Sequence, residues 1–171
     1  RLPVSGWNRW TAGAINWGYR VPESAKPDAT EISLFDSLFP FARRPGIFLL
    51  FGRCGFVEYQ TIVSDGCAEY FLERLERLLG GSRLPSVLLS MKRFAGTQRH
   101  LRFERDGVSI TLMLKRSKAV LAFLPSLDQL VVETGGLPNI IKDSRLPGPV
   151  VKTLYPEYEV FRRELNSYDP R

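Results

Sequence analysis

Polar side chains alternate with apolar ones along three segments of the sequence, at residues 55–63, 84–93 and 107–115. These segments are rich in β-branched and aromatic residues, which predicts strands. Because successive side chains of a strand point to opposite faces, each segment divides into an apolar row and a polar row. The polar rows contain Glu58, Gln60, Ser90, Lys92, Ser109 and Thr111. Short hydroxyls and amides of this kind suit the recognition of a small ligand.

A solvated sheet face is the alternative interpretation of these rows. Such a face usually carries many Lys, Glu and Arg side chains, whereas the six residues include one Lys and one Glu. The composition of the rows therefore favours a binding site.

The sequence excludes several classes of metal site and limits one class of enzyme. Cys54 and Cys67 are the only cysteines and His100 is the only histidine, too few for a zinc finger, a zinc ribbon or a His-rich site. A Ser-His-Asp hydrolase would have to use His100, which stands in a polar stretch and is interpreted as a solvated surface residue. No metal is predicted.

Two helices are predicted between the strands, at residues 64–79 and 119–134, and a Gly-Gly pair follows each of them. The first begins at Ser64, a residue suited to an N-cap. Pro125 is expected in the first turn of the second helix or at a kink. A last, short strand is predicted at residues 139–142.

The resulting order β-α-β-β-α-β is that of the ferredoxin-like split βαβ unit, an α+β fold. In this architecture both helices cover one face of an antiparallel sheet, so the polar rows are expected on the other face. A turn at residues 106–107, a short strand at 100–104 and terminal helices at 147–155 and 156–166 complete the prediction.

Residues 1–45 differ from the rest, because they hold all three tryptophans and a polar stretch without a period of 2 or 3.6. We interpret them as an irregular N-terminal arm that packs its aromatic residues, followed by one domain at residues 46–171. The first methionine is Met91. We therefore expect that further chain precedes residue 1 in the parent protein.

Composition sets the broad class of the protein. The chain has 171 residues, of which 44% are hydrophobic, with 24 Lys and Arg against 18 Asp and Glu, a net charge of +6. Such a chain can form its own core, which excludes disordered, collagenous and coiled-coil classes. The apolar run at residues 47–51, like every other apolar run in the sequence, is far too short to span a bilayer. We expect a cytoplasmic location.

The basic charge and the open sheet face also suit an RNA-recognition domain, which we keep as the alternative function. Residues 52–59 carry the last four positions of the RNP1 pattern. The first half of the pattern fails, with Cys54 where a stacking aromatic is required. The face also lacks a second aromatic pair. The expectation is therefore no nucleic-acid partner.

Five short segments, in order, carry a resemblance that runs from about Phe35 to the C-terminus. They are residues 56–63, 90–94, 135–145, 155–156 and 169–170. Together they resemble the substrate domain of FAD-linked sugar oxidoreductases in the vanillyl-alcohol-oxidase superfamily, which also contains the aldonolactone oxidases. Each segment is weakly specific alone, and their order and spacing give the likeness its weight.

The resemblance implies a flavoprotein parent whose FAD is bound mainly by a separate N-terminal domain, the expected partner of this chain. The sheet of the substrate domain would cover the flavin. The implied reaction is hydride transfer to flavin from a CH–OH group of a sugar, alditol or aldonolactone. The parent could associate with a membrane surface, and the chain alone is expected to be inactive.

Position by position, the resemblance implies roles for individual residues. Lys142 matches a lysine beside flavin and substrate, which makes it the catalytic and cofactor-binding candidate. Gln60 and Lys92 match substrate-pocket residues. Asn139, Thr111 and Glu58 replace a pocket tyrosine, cysteine and glutamine of one family member, so a different sugar or polyol is expected. Together with Ser109 on the polar face, the candidate substrate-binding residues are Gln60, Glu58, Lys92, Ser109, Thr111 and Asn139.

Overall fold

The computed structural model describes residues 6–23, 31–39, 45–84, 86–142 and 146–170. The chain divides into two compact units, residues 1–56 with 115–117, and residues 57–114 with 118–171. Its elements are α1 (Arg9–Glu23), α2 (Leu34–Leu38), a 3₁₀ helix (Pro45–Phe51), β1 (Phe56–Val63), α3 (Asp65–Ser82), β2 (Ser86–Phe94), β3 (Gly107–Lys115), α4 (Lys118–Glu133), β4 (Leu137–Pro138), α5 (Gly148–Leu154) and α6 (Tyr158–Tyr168). Residues 143–145, which end one of the five resembling segments, lie outside the described part.

The second unit has the predicted α+β fold. Its sheet has the strand order β2-β3-β1-β4, and both the β2–β3 and the β1–β4 pairs are antiparallel. With helices α3 and α4 as the two crossovers, this is the ferredoxin-like arrangement that the sequence predicts. The two terminal helices, α5 and α6, are also confirmed.

The main core lies between the sheet and helices α3 and α4. It is formed by the predicted apolar rows of β1 and β3 and by the inward faces of the helices. Its buried members are Tyr59, Val63, Phe71, Leu75, Ile110, Leu112, Leu114, Val120, Phe123, Leu124, Leu127, Leu130 and Val131. The Tyr59 hydroxyl donates to the buried Asp128 carboxylate over 3.0 Å, so these two polar groups satisfy each other inside the core.

The apolar row of β2 behaves differently from the prediction. A bulge between Ser86 and Leu88 breaks the alternation of side chains at the start of the strand. Farther along, Leu89 and Met91 pair with Leu112 and Ile110 on the helix side, yet they are 44% and 55% exposed. They remain exposed because β2 is the outermost strand of the sheet.

A second, smaller core covers part of the sheet face that the sequence predicted to be open. Ile62, Leu137 and Tyr155 are buried there. Partly buried residues from the end of β2, the segment after it, the turn after β4 and helices α5 and α6 pack against them. These are Phe94, Leu101, Phe103, Ile140, Val151, Leu154 and Tyr158. The open face is therefore smaller than predicted.

Two local predictions are wrong. Residues 100–104 form a turn and irregular backbone in place of a strand. The last strand is β4, Leu137–Pro138, and residues 139–142 form a turn after it. Of the two placements expected for Pro125, the first turn is excluded, because Pro125 lies farther inside α4. Pro125 and Leu121, whose carbonyl loses its i+4 partner, are both exposed, so water can satisfy that carbonyl.

In the first unit, part of the arm predicted to be irregular is the 15-residue helix α1. Asn8 begins it, since its side-chain oxygen accepts hydrogen bonds from the backbone N–H groups of Trp10 (2.9 Å) and Thr11 (3.1 Å). Trp7 is buried against Phe51, with ring centroids 5.6 Å apart. Trp10 and Trp17 are 74% and 70% exposed, so packing of the tryptophans is confirmed for Trp7 alone.

Among the described residues, no helix combines the length and the apolar character needed to cross a membrane. No group of three or more His, Cys, Asp and Glu side chains in that part of the chain could hold a metal ion.

Tyr155 lies at the centre of the second core, and its replacement tests how much it stabilises the fold. Its side chain is fully buried, and its hydroxyl donates to the carbonyl oxygen of Pro138 in β4. Replacing Tyr155 with Phe leaves that carbonyl without its donor, so Tyr155→Phe should lower the free energy of unfolding by about 1–3 kcal/mol. Urea denaturation at neutral pH measures this. The 91% exposed Tyr168 supplies the control, since Tyr168→Phe should change nothing measurable. Equal effects of the two changes would contradict this role of Tyr155.

The same tyrosine predicts a pH dependence. Burial raises the pKa of Tyr155 from 10.0 to about 12, opposed in part by a hydrogen bond from the Ile140 backbone. Because the folded state holds this proton more tightly, the contribution is complete below pH 10.0 and is lost as the pH rises toward about 12. The stability advantage of the native chain over Tyr155→Phe should therefore shrink by about 2–3 kcal/mol across that window. Parallel denaturation curves at several alkaline pH values test it, and a constant difference would refute it.

Candidate functional site

Most of the predicted site residues meet on one face of the sheet, next to the end of β4. Gln60 on β1 donates from its side-chain nitrogen to the Ser109 hydroxyl on β3, over 3.2 Å. Its side-chain oxygen accepts from the Asn139 amide nitrogen, over 2.8 Å. Ser109 and Asn139 are 2% and 8% exposed. Gln60 thus joins two strands and the turn after β4 through buried polar groups, and hydrogen bonds gain strength in such surroundings.

Backbone contacts fix the same junction. The Asn139 N–H donates to the Gln60 carbonyl over 2.8 Å. On the adjacent residue of β1, the buried Thr61 hydroxyl donates to the Leu137 carbonyl over 3.1 Å. The short strand β4 is therefore held to β1 by main-chain and side-chain hydrogen bonds together, which compensates for its length of two residues.

Asn139 shapes the turn that carries Lys142. Its side-chain oxygen accepts from the Ile141 N–H over 3.1 Å, and its carbonyl accepts from the Lys142 N–H over 3.1 Å. Asn side chains favour such local turns because they bond to the backbone two residues on. A residue that the resemblance placed in the substrate pocket therefore also positions the candidate catalytic lysine.

Lys142 and Glu58 form an ion pair at the edge of this network. The ammonium nitrogen lies 3.2 Å from a Glu58 carboxylate oxygen, with the side chains 47% and 23% exposed. An ammonium group has three donors, so a contact with Glu58 leaves donors for a ligand that approaches from solvent. The pair places a cation and an acceptor side by side on the accessible face.

Lys92 and Thr111 share this face, farther from β4. Lys92 on β2 is opposite Ser109 in register, and Thr111 on β3 is opposite Ser90. Residues opposite each other in a ladder project to the same side of the sheet. The hydrogen-bonded and ion-paired cluster therefore contains Glu58, Gln60, Ser109, Asn139 and Lys142, while Lys92 and Thr111 extend the polar face away from it.

Tyr155 is the residue of the site region that sequence reasoning missed. Its hydroxyl bonds the carbonyl of Pro138, the residue before Asn139, so it supports the turn from beneath. The Tyr-Pro pair at residues 155–156 belonged to the resemblance, but no pattern assigned it a role. Only the tertiary contact reveals it.

His100 takes no part in the cluster. Its backbone N–H donates to Glu157 over 2.8 Å, and its ring lies 4.0 Å from Glu157 and 3.8 Å from Glu164. It connects the segment after β2 to the region of α6. Its side chain is 39% exposed, so the interpretation as a surface residue is correct only in part.

Both aromatic residues of the RNP1-like pattern pack against other residues of the chain: Tyr59 is buried, and Phe56 is 36% exposed. Phe56 stacks on Phe48 at 5.6 Å and also contacts Phe51 at 5.5 Å. Tyr59 is buried in the main core and donates to Asp128. RNA-recognition sheets need such rings free to stack on bases. The structure therefore gives the nucleic-acid alternative no support.

Comparison with known proteins gives two distant likenesses. No protein-family model matches the chain. It is 30% identical over 120 residues to a Streptomyces coelicolor protein described as uncharacterized, in the mprA 5′ region, covering 68% of this chain and 32% of that protein. It is 28% identical over 121 residues to the decaprenylphosphoryl-β-D-ribose oxidase of Mycolicibacterium smegmatis, covering 70% of this chain and 26% of the oxidase. The chain thus spans a third or less of the length of these relatives, and it is a distant homologue of an oxidase.

Proposed function

We propose that this chain is the substrate-binding part of an FAD-dependent oxidoreductase that oxidises a CH–OH group of a sugar, alditol or aldonolactone. The observation that carries the proposal is the cluster around Lys142. An exposed ammonium, a carboxylate and buried amides converge on one sheet face, in a chain distantly similar to an oxidase. Residues 46–171 would form the substrate domain, and a flavin-binding domain of the same polypeptide would be its partner.

The residues present fit a place at the edge of a flavin. Lys142 is a cation on the accessible face, and Glu58 holds its ammonium nitrogen at 3.2 Å. A positive charge beside a redox ring stabilises negative charge that develops there during the reaction. When bound, a flavin would supply the redox chemistry by accepting a hydride from the substrate.

Two roles fit Lys142 equally. Its ammonium can donate to the flavin edge, or it can donate to the substrate hydroxyl and polarise it. In both, Glu58 and the Asn139 turn fix where the ammonium lies. Fixing a charged donor before the reaction removes the cost of reorganising it during the reaction.

The polar face offers groups that suit a polyol. Hydroxyls and amides can donate and accept hydrogen bonds, as sugar hydroxyls require. Gln60 spends one amide hydrogen on Ser109 and its oxygen on Asn139, so we assign it mainly to orienting these two residues. Glu58, Lys92 and Thr111 are left as the residues nearest to solvent that can contact substrate. Glu58, Thr111 and Asn139 differ from the corresponding residues of the family member noted above, which is the reason to propose a different sugar or polyol.

The role of Lys142 can be tested by flavin reduction in the full-length parent polypeptide. Lys142→Met should slow reduction by bound substrate about 10²-fold, since it removes a preorganised charge of the kind whose loss costs 10²–10³. Lys152 is a matched control, because it is also exposed and ion-paired, with Glu159 at 2.5 Å. The flavin of Lys152→Met should be reduced by substrate at the native rate. Rapid-mixing absorbance of the flavin gives both rates. The proposal would be overturned if the flavin of Lys142→Met were reduced at the native rate, or if the parent contained no flavin.

Because FAD binding is assigned mainly to a separate domain of the parent, we expect the 171-residue chain to bind no FAD by itself. Gel filtration of the purified chain with excess FAD should leave the visible flavin absorbance in the small-molecule fraction. Co-elution of flavin with the chain would contradict the assignment of cofactor binding to a separate domain.

A further inference from the structure

The outer edge of β2 is the most conspicuous unpartnered feature of the second unit. In the described part of the chain β2 pairs with β3 on one side only, since the strand order is β2-β3-β1-β4. The strand is nine residues long, and its middle, residues 88–91, carries no charge. Long edges with exposed apolar side chains are templates for pairing with another strand.

Features that hinder pairing with another strand are found only near the two ends of this edge. A bulge lies between Ser86 and Leu88, and Lys92 and Arg93 lie near the other end. Bulges and charged residues are the usual means of blocking edge pairing. Between them, Leu89 and Met91 are 44% and 55% exposed, although both are on the face that the helices cover elsewhere.

We propose that this edge pairs with β2 of a second copy of the chain, antiparallel and centred on Ser90, to form one continuous sheet across a two-fold axis. In this register Leu89 of one copy is opposite Met91 of the other, so the four exposed apolar side chains cover each other on the helix side. A two-fold axis perpendicular to the sheet keeps the helices of both copies on the same face.

Self-complementarity is the reason to choose a second copy over a different protein. About Ser90, Lys92 lies opposite Leu88 and Arg93 opposite Val87 of the other copy, so like charges never meet across the ladder. Arg93 is moreover ion-paired with Asp65 of its own copy at 2.6 Å. The two Ser90 side chains are opposite each other at the axis, on the polar face of the sheet.

The interface would be weak. It uses one strand and two apolar side chains from each copy, well below the roughly 1,200–2,000 Å² of a standard stable interface. Binding by main-chain hydrogen bonds and a small apolar contact therefore predicts a dimer in exchange with monomer at micromolar concentrations.

Sedimentation velocity of the 171-residue chain, over about 5–500 μM, tests the proposal. The native chain should pass from monomer to dimer within that range. Leu89→Lys should raise the dissociation constant at least 10-fold, because it removes the apolar pair and adds a charge beside Met91 of the other copy. Leu165→Lys is the matched control, a leucine of similar exposure (47%) on α6, and should dimerise as the native chain does. Far-ultraviolet circular dichroism checks that both variants fold.

Hydrogen exchange locates the contact independently of any variant. Among residues 88–92, the amides that face away from β3 should gain protection as the concentration of the native chain rises, while those of α6 should not. A native chain that stays monomeric over the whole range overturns the proposal. So does a dimer that Leu89→Lys leaves intact, or one that is broken by Trp10→Ser on the exposed side of α1.

Discussion

The hydrogen bonds between Gln60 and Asn139 are the contacts on which the candidate site depends. They tie the middle of β1 to the turn after β4, through both side chains and through the backbone. They add to the bonds that the Thr61 and Tyr155 hydroxyls donate to the carbonyls of β4, a strand of only two residues. With them, the turn at residues 139–142 is fixed and Lys142 reaches Glu58. The position of the candidate catalytic cation is thus set by the uncharged Gln60–Asn139 junction that fixes its turn and by the Glu58 carboxylate.

The polar groups that form this junction are buried, whereas the charged groups next to it are accessible to solvent. Ser109, Asn139 and Thr61 are buried, and Tyr155 closes the junction from the second core. Lys142 and Lys92 remain exposed. A positioning layer below and an accessible layer above are what a preorganised binding site requires. At the β2 edge of the same sheet, by contrast, the apolar side chains of Leu89 and Met91 are exposed.

Alternation of side chains predicted most of the sheet, because β1 and β3 are long and half-buried. The rows of Tyr59 and of Ile110 follow that period and pack under the helices as predicted. The rule failed in β2, where a bulge shifts the register and the edge position leaves Leu89 and Met91 exposed. It also failed at β4, since two residues cannot display a period, and residues 139–142 are ordered by an Asn side chain instead. Helix α1 was missed because residues 1–45 were interpreted as one segment, from the polar, aperiodic stretch at the end of the helix and beyond it, although Asn8 marks the start of α1.

The candidate residues could be identified from the sequence, but their relations could not. Residue type and the family resemblance selected Glu58, Gln60 and Lys142, whereas the ion pair and the network through Asn139 exist only in the tertiary structure.

The proposed role of Lys142 is tested most directly by a crystal structure of the full-length parent with its flavin bound. In it the Lys142 ammonium should lie within about 3.5 Å of the flavin or of a bound substrate hydroxyl. A flavin bound elsewhere, with Lys142 facing only solvent, would contradict it.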